Sequence, residues 1–240
     1  MSTSTNLQSK TALITGGSKG IGLGIAEAMA KQHMKVAITS RHFDEAQAAA
    51  KHLISLGAEA TLAIECDVRD YDAQQNAVRE VLADWGQLDV VIANAGVGYF
   101  APIDKMSQEQ WHEIIDINLT GAFYTLQASV DALKASKGYL ITLASLAGTN
   151  FFANGAAYNA SKFGLVGFTQ AAMLDLRPYG IKVSTIMPGS VATHFNGHVP
   201  DDKDGWKIQP EDIGQMVIDL LKMNPRTLPS KIEVRPSLPG

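Results

Sequence analysis

The chain has 240 residues, of which 46% are hydrophobic and 18% charged, which fits one sizeable domain with a complete core. A net charge of −4 without a basic run argues against a nucleic-acid or anionic-membrane surface. Cys66 is the only cysteine, which excludes an internal disulfide framework, and residues 1–9 lack the apolar core of a signal peptide. We therefore expect a cytoplasmic protein that handles small molecules, with residues 1–9 as a flexible tail.

From residue 10 to the C-terminus, short apolar runs alternate with stretches whose apolar residues recur with the period of an α-helix. Seven runs rich in Val, Ile and Leu read TALIT, KVAITS, TLAIEC, LDVVIAN, YLITLAS, KVSTIM and IEVR. Six helical stretches accompany them, including a long one around residues 107–136 and another from about 156 to 176. Continuous apolar strands separated by helices indicate a parallel sheet covered on both faces. The sequence predicts a single domain with a doubly wound α/β Rossmann fold and seven parallel strands.

The turn between the first strand and the first helix reads TGGSKGIG at positions 15–22. Glycines there let the backbone turn tightly and let a pyrophosphate approach the helix N-terminus, where free N–H groups favour anions. Close packing of strand on helix explains glycines equally well, but the position in the first βα turn favours dinucleotide binding. The candidate binding residues are Gly16, Ser18, Lys19, Gly20, Ile21 and Gly22.

The second strand ends in Ser40-Arg41, about where proteins that bind NAD carry an acidic residue for the ribose 2′-hydroxyl. A guanidinium and a hydroxyl suit a 2′-phosphate, and Lys19 adds a second cation. Alternatively, Arg41 is a solvated loop residue and Asp44 a favourable charge at a helix start. We interpret the pattern as a preference for NADP(H).

Other strands also end in residues suited to a ligand, at the edge where open α/β sheets bind one. Asp67-Val68 follows the third strand, and Asp67 either accepts from an adenine amino group or caps the next helix. Asn94-Ala95-Gly96 follows the fourth strand and lets the chain pass close to a ribose, although a turn needs Asn and Gly too. PGSVAT at 188–193 follows the sixth strand, although its Pro-Gly pair is also common in turns that bind no ligand.

Residues 145–162 hold a hydroxyl, a phenol and an ammonium. Tyr158 and Lys162 are four residues apart, so in a helix they share one face. An ammonium about 4 Å from a phenol supplies roughly the 4 kcal/mol that moves its pKa from about 10 to about 7, and Ser145 is placed to orient a substrate oxygen. Tyr-x-x-x-Lys is also a common helix-surface pair. Asn118, in a helical stretch, is expected to kink the helix or to satisfy a backbone carbonyl.

In this order and spacing, the motifs closely resemble the short-chain dehydrogenase/reductase family over nearly the whole chain. The resemblance implies that Tyr158 is the general acid/base, that Lys162 lowers its pKa and binds the nicotinamide ribose, that Ser145 holds the substrate carbonyl, and that Asn118 anchors a relay water. It implies contacts of Thr193 and the Val191 backbone with the nicotinamide carboxamide. The predicted cofactor site outside the first turn comprises Ser40, Arg41, Asp67, Val68, Asn94, Ala95, Gly96, Tyr158, Lys162, Pro188, Gly189, Val191 and Thr193. The C-terminal LPSKIEVRPSLPG departs from the Thr-Gly…Asp/Asn-Gly-Gly ending of relatives that resemble ketoacyl-carrier reductases.

These residues predict an oxidoreductase that transfers hydride between NADP(H) and a carbonyl or alcohol substrate. No Lys or Arg stands between Ser145 and Tyr158, which favours a free apolar or aromatic ketone or aldehyde over a carrier-bound 3-ketoacyl chain. The alternative from another class is a non-catalytic NADP(H)-binding sensor or scaffold. Apolar residues on more than one face of the helix at 156–176 predict a homodimer or homotetramer.

The loops around the predicted site are rich in apolar side chains. Residues from about 190 to 209 are predicted to form a substrate lid. An apolar cleft or subunit contacts would use Tyr99, Phe100, Leu146, Phe151, Phe152, Phe195 and Trp206. No metal site is predicted, because His194 and His198 lack suitably spaced Cys or paired acidic ligands.

Overall fold

The computed structural model describes residues 6–238, whose strands form one parallel sheet in the order β3-β2-β1-β4-β5-β6-β7. The strands are β1 (Thr11–Thr15), β2 (Lys35–Ser40), β3 (Ala60–Glu65), β4 (Val90–Ala93), β5 (Tyr139–Leu143), β6 (Lys182–Pro188) and β7 (Lys231–Val234). The strand order reverses between β1 and β4, which creates the crevice where open sheets of this kind bind ligands.

Helices cover both faces of the sheet, which confirms the predicted doubly wound fold. They are α1 (Gly20–Ala30), α2 (Phe43–Ser55), α3 (Tyr71–Trp85), α4 (Gln108–Ile115), α5 (Gly121–Ser136), α6 (Ala156–Leu176) and α7 (Pro210–Lys222). Buried side chains of α1, α2 and α7 form an apolar core on one face, and those of α3, α5 and α6 form a second core on the other. Because strands between two cores are buried on both sides, they read as continuous apolar runs.

The helical stretch predicted around residues 107–136 contains a feature that the sequence did not predict. A π-helix at Asp116–Thr120 separates α4 from α5, and Asn118 lies within it. Ser107 begins the stretch with a capping box, in which its Oγ accepts from Gln110 N (3.1 Å) and its own N–H donates to Gln110 Oε1 (3.1 Å). Single π turns occur frequently at functional sites.

The N-terminal segment differs from the predicted tail. Residues 1–5 lie outside the described part of the chain. The Leu7 side chain is buried in the core, and the Ser9 N–H donates to the His33 carbonyl (3.0 Å). Of the predicted tail, Leu7 is therefore packed against the folded domain, because burial removes its apolar side chain from water, and Ser9 is held by its backbone hydrogen bond.

Within the C-terminal segment that departs from the family pattern, Lys231–Val234 forms β7, the edge strand beside β6. Ser230 O accepts from Thr185 N (3.0 Å), and Val234 O accepts from Gly189 N (2.8 Å). The second of these bonds anchors the start of the turn at 188–193. No helix among residues 6–238 is long and apolar enough to cross a membrane.

Residues 189–209 connect β6 to α7, and we call them the β6–α7 segment. Its two ends are joined where Ala192 N donates to Ile208 O (2.9 Å) and Ile208 N donates to Ser190 O (3.1 Å). Two short 3₁₀ helices, Phe195–Gly197 and Asp202–Trp206, lie between these ends. The buried Asp204 carboxylate contacts His198 Nε2 and Lys207 Nζ, each at 2.6 Å.

Candidate active site

Asn94 joins the end of β4 to the glycine turn. Its Nδ2 donates to the carbonyls of Thr15 (2.9 Å) and Gly16 (3.0 Å). Gly16 has φ +63°, and a Cβ there would lie 3.1 Å from Ala95 Cα. A Cβ on Gly22 would lie 2.4 Å from Gly16 O, so close packing alone requires that glycine. Close packing therefore accounts for Gly22 without a ligand.

The N-terminus of α1 fits the pyrophosphate of a dinucleotide. Lys19, at the N-cap position, makes no side-chain capping hydrogen bond, so it leaves the first-turn N–H groups available to a ligand. Gly20 has φ +58°, and a Cβ there would lie 3.5 Å from Thr193 Cγ2. The turn at 188–193 is thereby brought opposite the glycine turn, as expected for two walls of one cofactor cleft.

Asp67, after β3, is held by Arg69, whose Nη2 lies 2.6 Å from Oδ2 and whose Nε lies 3.0 Å from Oδ1. The Arg69 hydrogen bond is the main cause that lowers the pKa of Asp67, and the nearby charge of Arg41 also contributes. The predicted alternative that Asp67 caps the next helix is wrong, because Asp70 Oδ1 caps α3. Val68, beside Asp67, is buried, and its carbonyl accepts from Gln74 Nε2 (2.6 Å).

Glu45, on the first turn of α2, was missed from the sequence as a site residue. Its Oε2 accepts from Ser18 Oγ and from Ser40 Oγ, each at 3.3 Å. Its Oε1 lies 3.9 Å from Lys19 Nζ. Two of the groups predicted to bind a 2′-phosphate, Ser40 and Lys19, therefore contact a carboxylate, whereas Arg41 is exposed at the end of β2.

Tyr158 and Lys162 lie one turn apart near the start of α6. Lys162 is only 4% exposed, and its Nζ donates to Leu143 O at the end of β5 (2.9 Å). A Cβ on Gly96 would lie 3.7 Å from Lys162 Nζ, so the turn after β4 reaches the ammonium. The alternative of a common helix-surface pair is therefore wrong, because the lysine is buried.

Asn118 connects the π-helix to the loop after β4 and to α6. Its Nδ2 donates to Val97 O (2.9 Å) and to Ser161 Oγ (3.1 Å), and its Oδ1 accepts from Val97 N (2.8 Å). The expectation that Asn118 satisfies a backbone carbonyl is confirmed. Ser161 was not identified from the sequence, because small polar residues on helices are too common to single out.

Ser145 lies beside Tyr158, as the sequence predicted. Its Oγ accepts from Ala147 N (3.1 Å) and lies 3.4 Å from Pro188 O, to which it donates. The Ser145 hydroxyl beside the phenol lowers the pKa of Tyr158, which opposes the larger effect of burial.

The protonation state of Tyr158 differs from the expected one. Burial raises the pKa of Tyr158 to about 12 and lowers the pKa of Lys162 to about 8. Lys162 Nζ lies 5.7 Å from the centroid of the Tyr158 ring. The loss of water therefore outweighs the opposing effect of Ser145, and the phenol is protonated at neutral pH.

Aromatic side chains cover Tyr158. The centroids of the Phe100 and Phe195 rings each lie 5.6 Å from that of Tyr158, and Phe152 lies 5.4 Å from Phe100. A Cβ on Gly98 would lie 2.3 Å from Phe195 Cζ, so only glycine admits this ring. Of the predicted apolar residues, these three phenylalanines gather at the phenol, whereas Phe151 is 84% exposed.

Two further predicted apolar residues, Leu146 and Trp206, lie at the β6–α7 segment. Leu146 Cδ1 would lie 3.1 Å from a Cβ on Gly189, next to the end of β6. Trp206 stays partly exposed, with Lys207 Nζ 5.8 Å from its ring centroid. Across residues 6–238, no group of three or more His, Cys, Asp or Glu is arranged to hold a metal ion.

The fold and this edge of the sheet define a dinucleotide-dependent oxidoreductase, and comparison with known proteins identifies its family. Residues 10–204 match the family model described as short chain dehydrogenase. A trans-4-hydroxycyclohexanecarboxylate dehydrogenase of Sinomonas cyclohexanicum is 33% identical over 88% of this chain and 85% of its own length. A 3-oxoacyl-acyl-carrier-protein reductase of Staphylococcus aureus is 32% identical over 80% of this chain and 79% of its own.

Solved structures agree with this assignment. An alcohol dehydrogenase from the archaeon Thermococcus sibiricus, complexed with 5-hydroxy-NADP, superposes with a TM-score of 0.90 at 29% identity, covering 96% of this chain and 97% of that one. The chain belongs to the short-chain dehydrogenase/reductase family. It is an oxidoreductase that uses a nicotinamide cofactor.

Burial of Lys162 predicts a specific pH dependence of stability. Between about pH 8 and pH 10 the unfolded chain keeps a proton that the folded chain has released, so the free energy of unfolding rises with pH, by at most roughly 1.4 kcal/mol per unit. Lys162→Met removes this contribution. Urea unfolding across that range should show the wild-type value rising relative to that of the variant, and parallel pH curves would contradict the lowered pKa.

Proposed function

We propose that the protein reduces a free apolar or aromatic ketone or aldehyde with NADPH, and catalyses the reverse alcohol oxidation less readily at neutral pH. The observation that carries this proposal is the phenol of Tyr158, which lies beside Ser145, is covered by Phe100 and Phe195, and is protonated because it is buried. A proton donor with an apolar cover suits an uncharged carbonyl compound.

The residues would divide the work as follows. The nicotinamide cofactor supplies or accepts the hydride. Ser145 Oγ donates a hydrogen bond to the carbonyl oxygen of the substrate, and Tyr158 Oη donates its proton to that oxygen as negative charge develops there. The phenol lies within reach of Ser145, which orients both partners of the proton transfer. Phe100 and Phe195 exclude water from the site.

Lys162 and Asn118 would support this transfer from behind the phenol. The Lys162 ammonium attracts the phenolate that forms when Tyr158 loses its proton, and it donates to the ribose hydroxyls beside Gly96. Asn118 Oδ1 accepts one hydrogen bond from Val97 and keeps a second acceptor site for a relay water. In this proposal Tyr158, Lys162, Ser145 and Asn118 form one catalytic group.

The names of two relatives point to two kinds of substrate. One relative is named for a free cyclic hydroxy acid, and another for a carrier-bound 3-oxoacyl chain. The aromatic cover over Tyr158, with no Lys or Arg between Ser145 and Tyr158 to attract an acidic carrier protein, favours the free substrate.

NADP(H) is the proposed cofactor. Lys19 and Arg41 supply positive charge at the ends of the first turn and of β2, and Ser40 adds a hydroxyl. Gly20, Thr193 and the uncapped start of α1 provide space and donors for the pyrophosphate. The NADP derivative in the archaeal alcohol dehydrogenase supports this choice.

A homodimer or homotetramer remains our proposal for the assembly. Phe123 of α5 and Phe163 and Leu174 of α6 are 41%, 42% and 55% exposed, although large apolar side chains on neighbouring helices usually pack against something. We propose that a second copy of the chain covers this face. Light scattering at micromolar concentration would contradict the proposal if it gave the mass of a monomer.

A substrate panel tests the proposed reaction. Oxidation of NADPH should be fastest with free apolar or aromatic ketones and aldehydes, and Tyr158→Phe should remove nearly all turnover while NADPH binding is retained, because only the phenolic proton donor is lost. Tyr179→Phe deletes the hydroxyl of an exposed tyrosine and serves as the control. Substantial turnover by Tyr158→Phe, or efficient reduction of only a carrier-bound ketoacyl group, would refute the assignment.

Arg41→Ala tests the cofactor preference. The Michaelis constant for NADPH should rise about tenfold or more and that for NADH much less, because a charge-assisted contact to the phosphate is lost. Arg226→Ala is the matched control, since Arg226 is exposed in the connection from α7 to β7, at the opposite edge of the sheet. An unchanged NADPH to NADH ratio in Arg41→Ala would contradict the preference.

A further inference from the structure

Glu45 lies where the proposed cofactor site needs donors for a 2′-phosphate. Ser18 Oγ and Ser40 Oγ both donate to its Oε2 at 3.3 Å, and Lys19 Nζ lies 3.9 Å from its Oε1. One carboxylate thus contacts a residue of the glycine turn, the residue that precedes α1, and the last residue of β2. The contacts converge from two different βα turns, so they are not a product of local helix capping.

We propose that Glu45 is a cofactor-specificity residue that competes with the 2′-phosphate of NADP(H) for Ser18, Lys19 and Ser40. The carboxylate is an acceptor with negative charge, as the phosphate is, and it draws on the same hydroxyl and ammonium donors. To bind, the 2′-phosphate of NADP(H) must displace the Glu45 carboxylate from these donors. NAD(H) has no 2′-phosphate and therefore does not compete with Glu45 for them. Glu45 therefore reduces the preference for NADP(H) over NAD(H) that the positive charges of Lys19 and Arg41 create. This inference rests on the proposed function, because it places the adenosine ribose at the end of β2.

The contacts of Glu45 are of a kind that a ligand can replace. The two hydrogen bonds are long, and the ion pair is open to water, with side chains 69% exposed at Lys19 and 42% exposed at Glu45. Exposed pairs of this length contribute little to stability. Glu45 can turn toward solvent when a phosphate arrives, but its charge stays near the phosphate and continues to repel it.

The test measures equilibrium binding, without turnover, of two probes that differ only in the 2′-phosphate: adenosine 2′,5′-bisphosphate and adenosine 5′-monophosphate. Calorimetric titration of wild type and Glu45→Gln should show that the variant binds the bisphosphate about five- to tenfold more tightly, since two phosphate charges no longer meet a carboxylate. The affinity for the monophosphate should change by less than about twofold. The gain should shrink as salt is raised.

Asp44→Asn is the matched control. Asp44 stands next to Glu45 on the same exposed first turn of α2, so its variant removes the same charge from the same helix end. It should alter the affinity for the bisphosphate by less than about twofold. An equal gain in Asp44→Asn and Glu45→Gln would show a general charge effect and would overturn the specific role of Glu45.

Two other results would overturn the inference. If Glu45→Gln leaves the ratio of the two affinities unchanged, Glu45 does not compete with the phosphate. If the variant loses affinity for the monophosphate, Glu45 is an acceptor for the ribose 2′-hydroxyl. The proposed NADP(H) preference is tested separately, by whether wild type binds the bisphosphate more tightly than the monophosphate.

Discussion

The burial of the Lys162 ammonium at the carboxyl end of β5 is the constraint on which the site depends. A charge removed from water is costly unless it is paired, and the contact to Leu143 O compensates for only part of the lost hydration. The pKa of Lys162 is accordingly lowered to about 8, while burial raises that of Tyr158 to about 12. In the proposed mechanism, the remaining donors of the ammonium go to ribose hydroxyls and to the phenolate, which would restore part of the lost hydration.

The doubly wound sheet brings distant parts of the chain to this charge. Parallel strands all end at one edge, so the turns after β1, β4 and β6 approach one another although they are far apart in sequence. Asn94 joins two of these turns by hydrogen bonds, and Gly96 leaves room beside Lys162 Nζ. Asn118 fixes the loop after β4 to α6 through Val97 and Ser161. These contacts thus hold the turn after β1 and the loop after β4 at one edge of the sheet, next to the helix that carries the phenol.

The sheet and its helices could be predicted from the sequence because apolar periodicity reflects burial directly, and the spacing of Tyr158 and Lys162 placed them on one helix face. The π-helix around Asn118 could not, since it depends on which loop the amide meets in the folded chain. Glu45 was missed because an acidic residue in the first turn of a helix is already explained by its favourable interaction with the helix dipole. Its contact with Ser18 joins residues that are 27 positions apart in the sequence. The prediction of a low pKa for Tyr158 was wrong for a similar reason. The residue spacing predicts the nearby ammonium, but it does not predict that Phe100 and Phe195 remove water from the phenol.

The central claim is that Tyr158 is a buried, protonated phenol ready to donate a proton. Ultraviolet difference titration of tyrosinate in the cofactor-free protein, with Tyr158→Phe subtracted from wild type, measures this residue alone. The account predicts that Tyr158 stays protonated up to at least about pH 10, the usual pKa of a free phenol, consistent with its pKa of about 12. A tyrosinate signal assigned to Tyr158 with a midpoint at about pH 7 would contradict it, because the phenol would then be ionised at neutral pH by the lysine beside it.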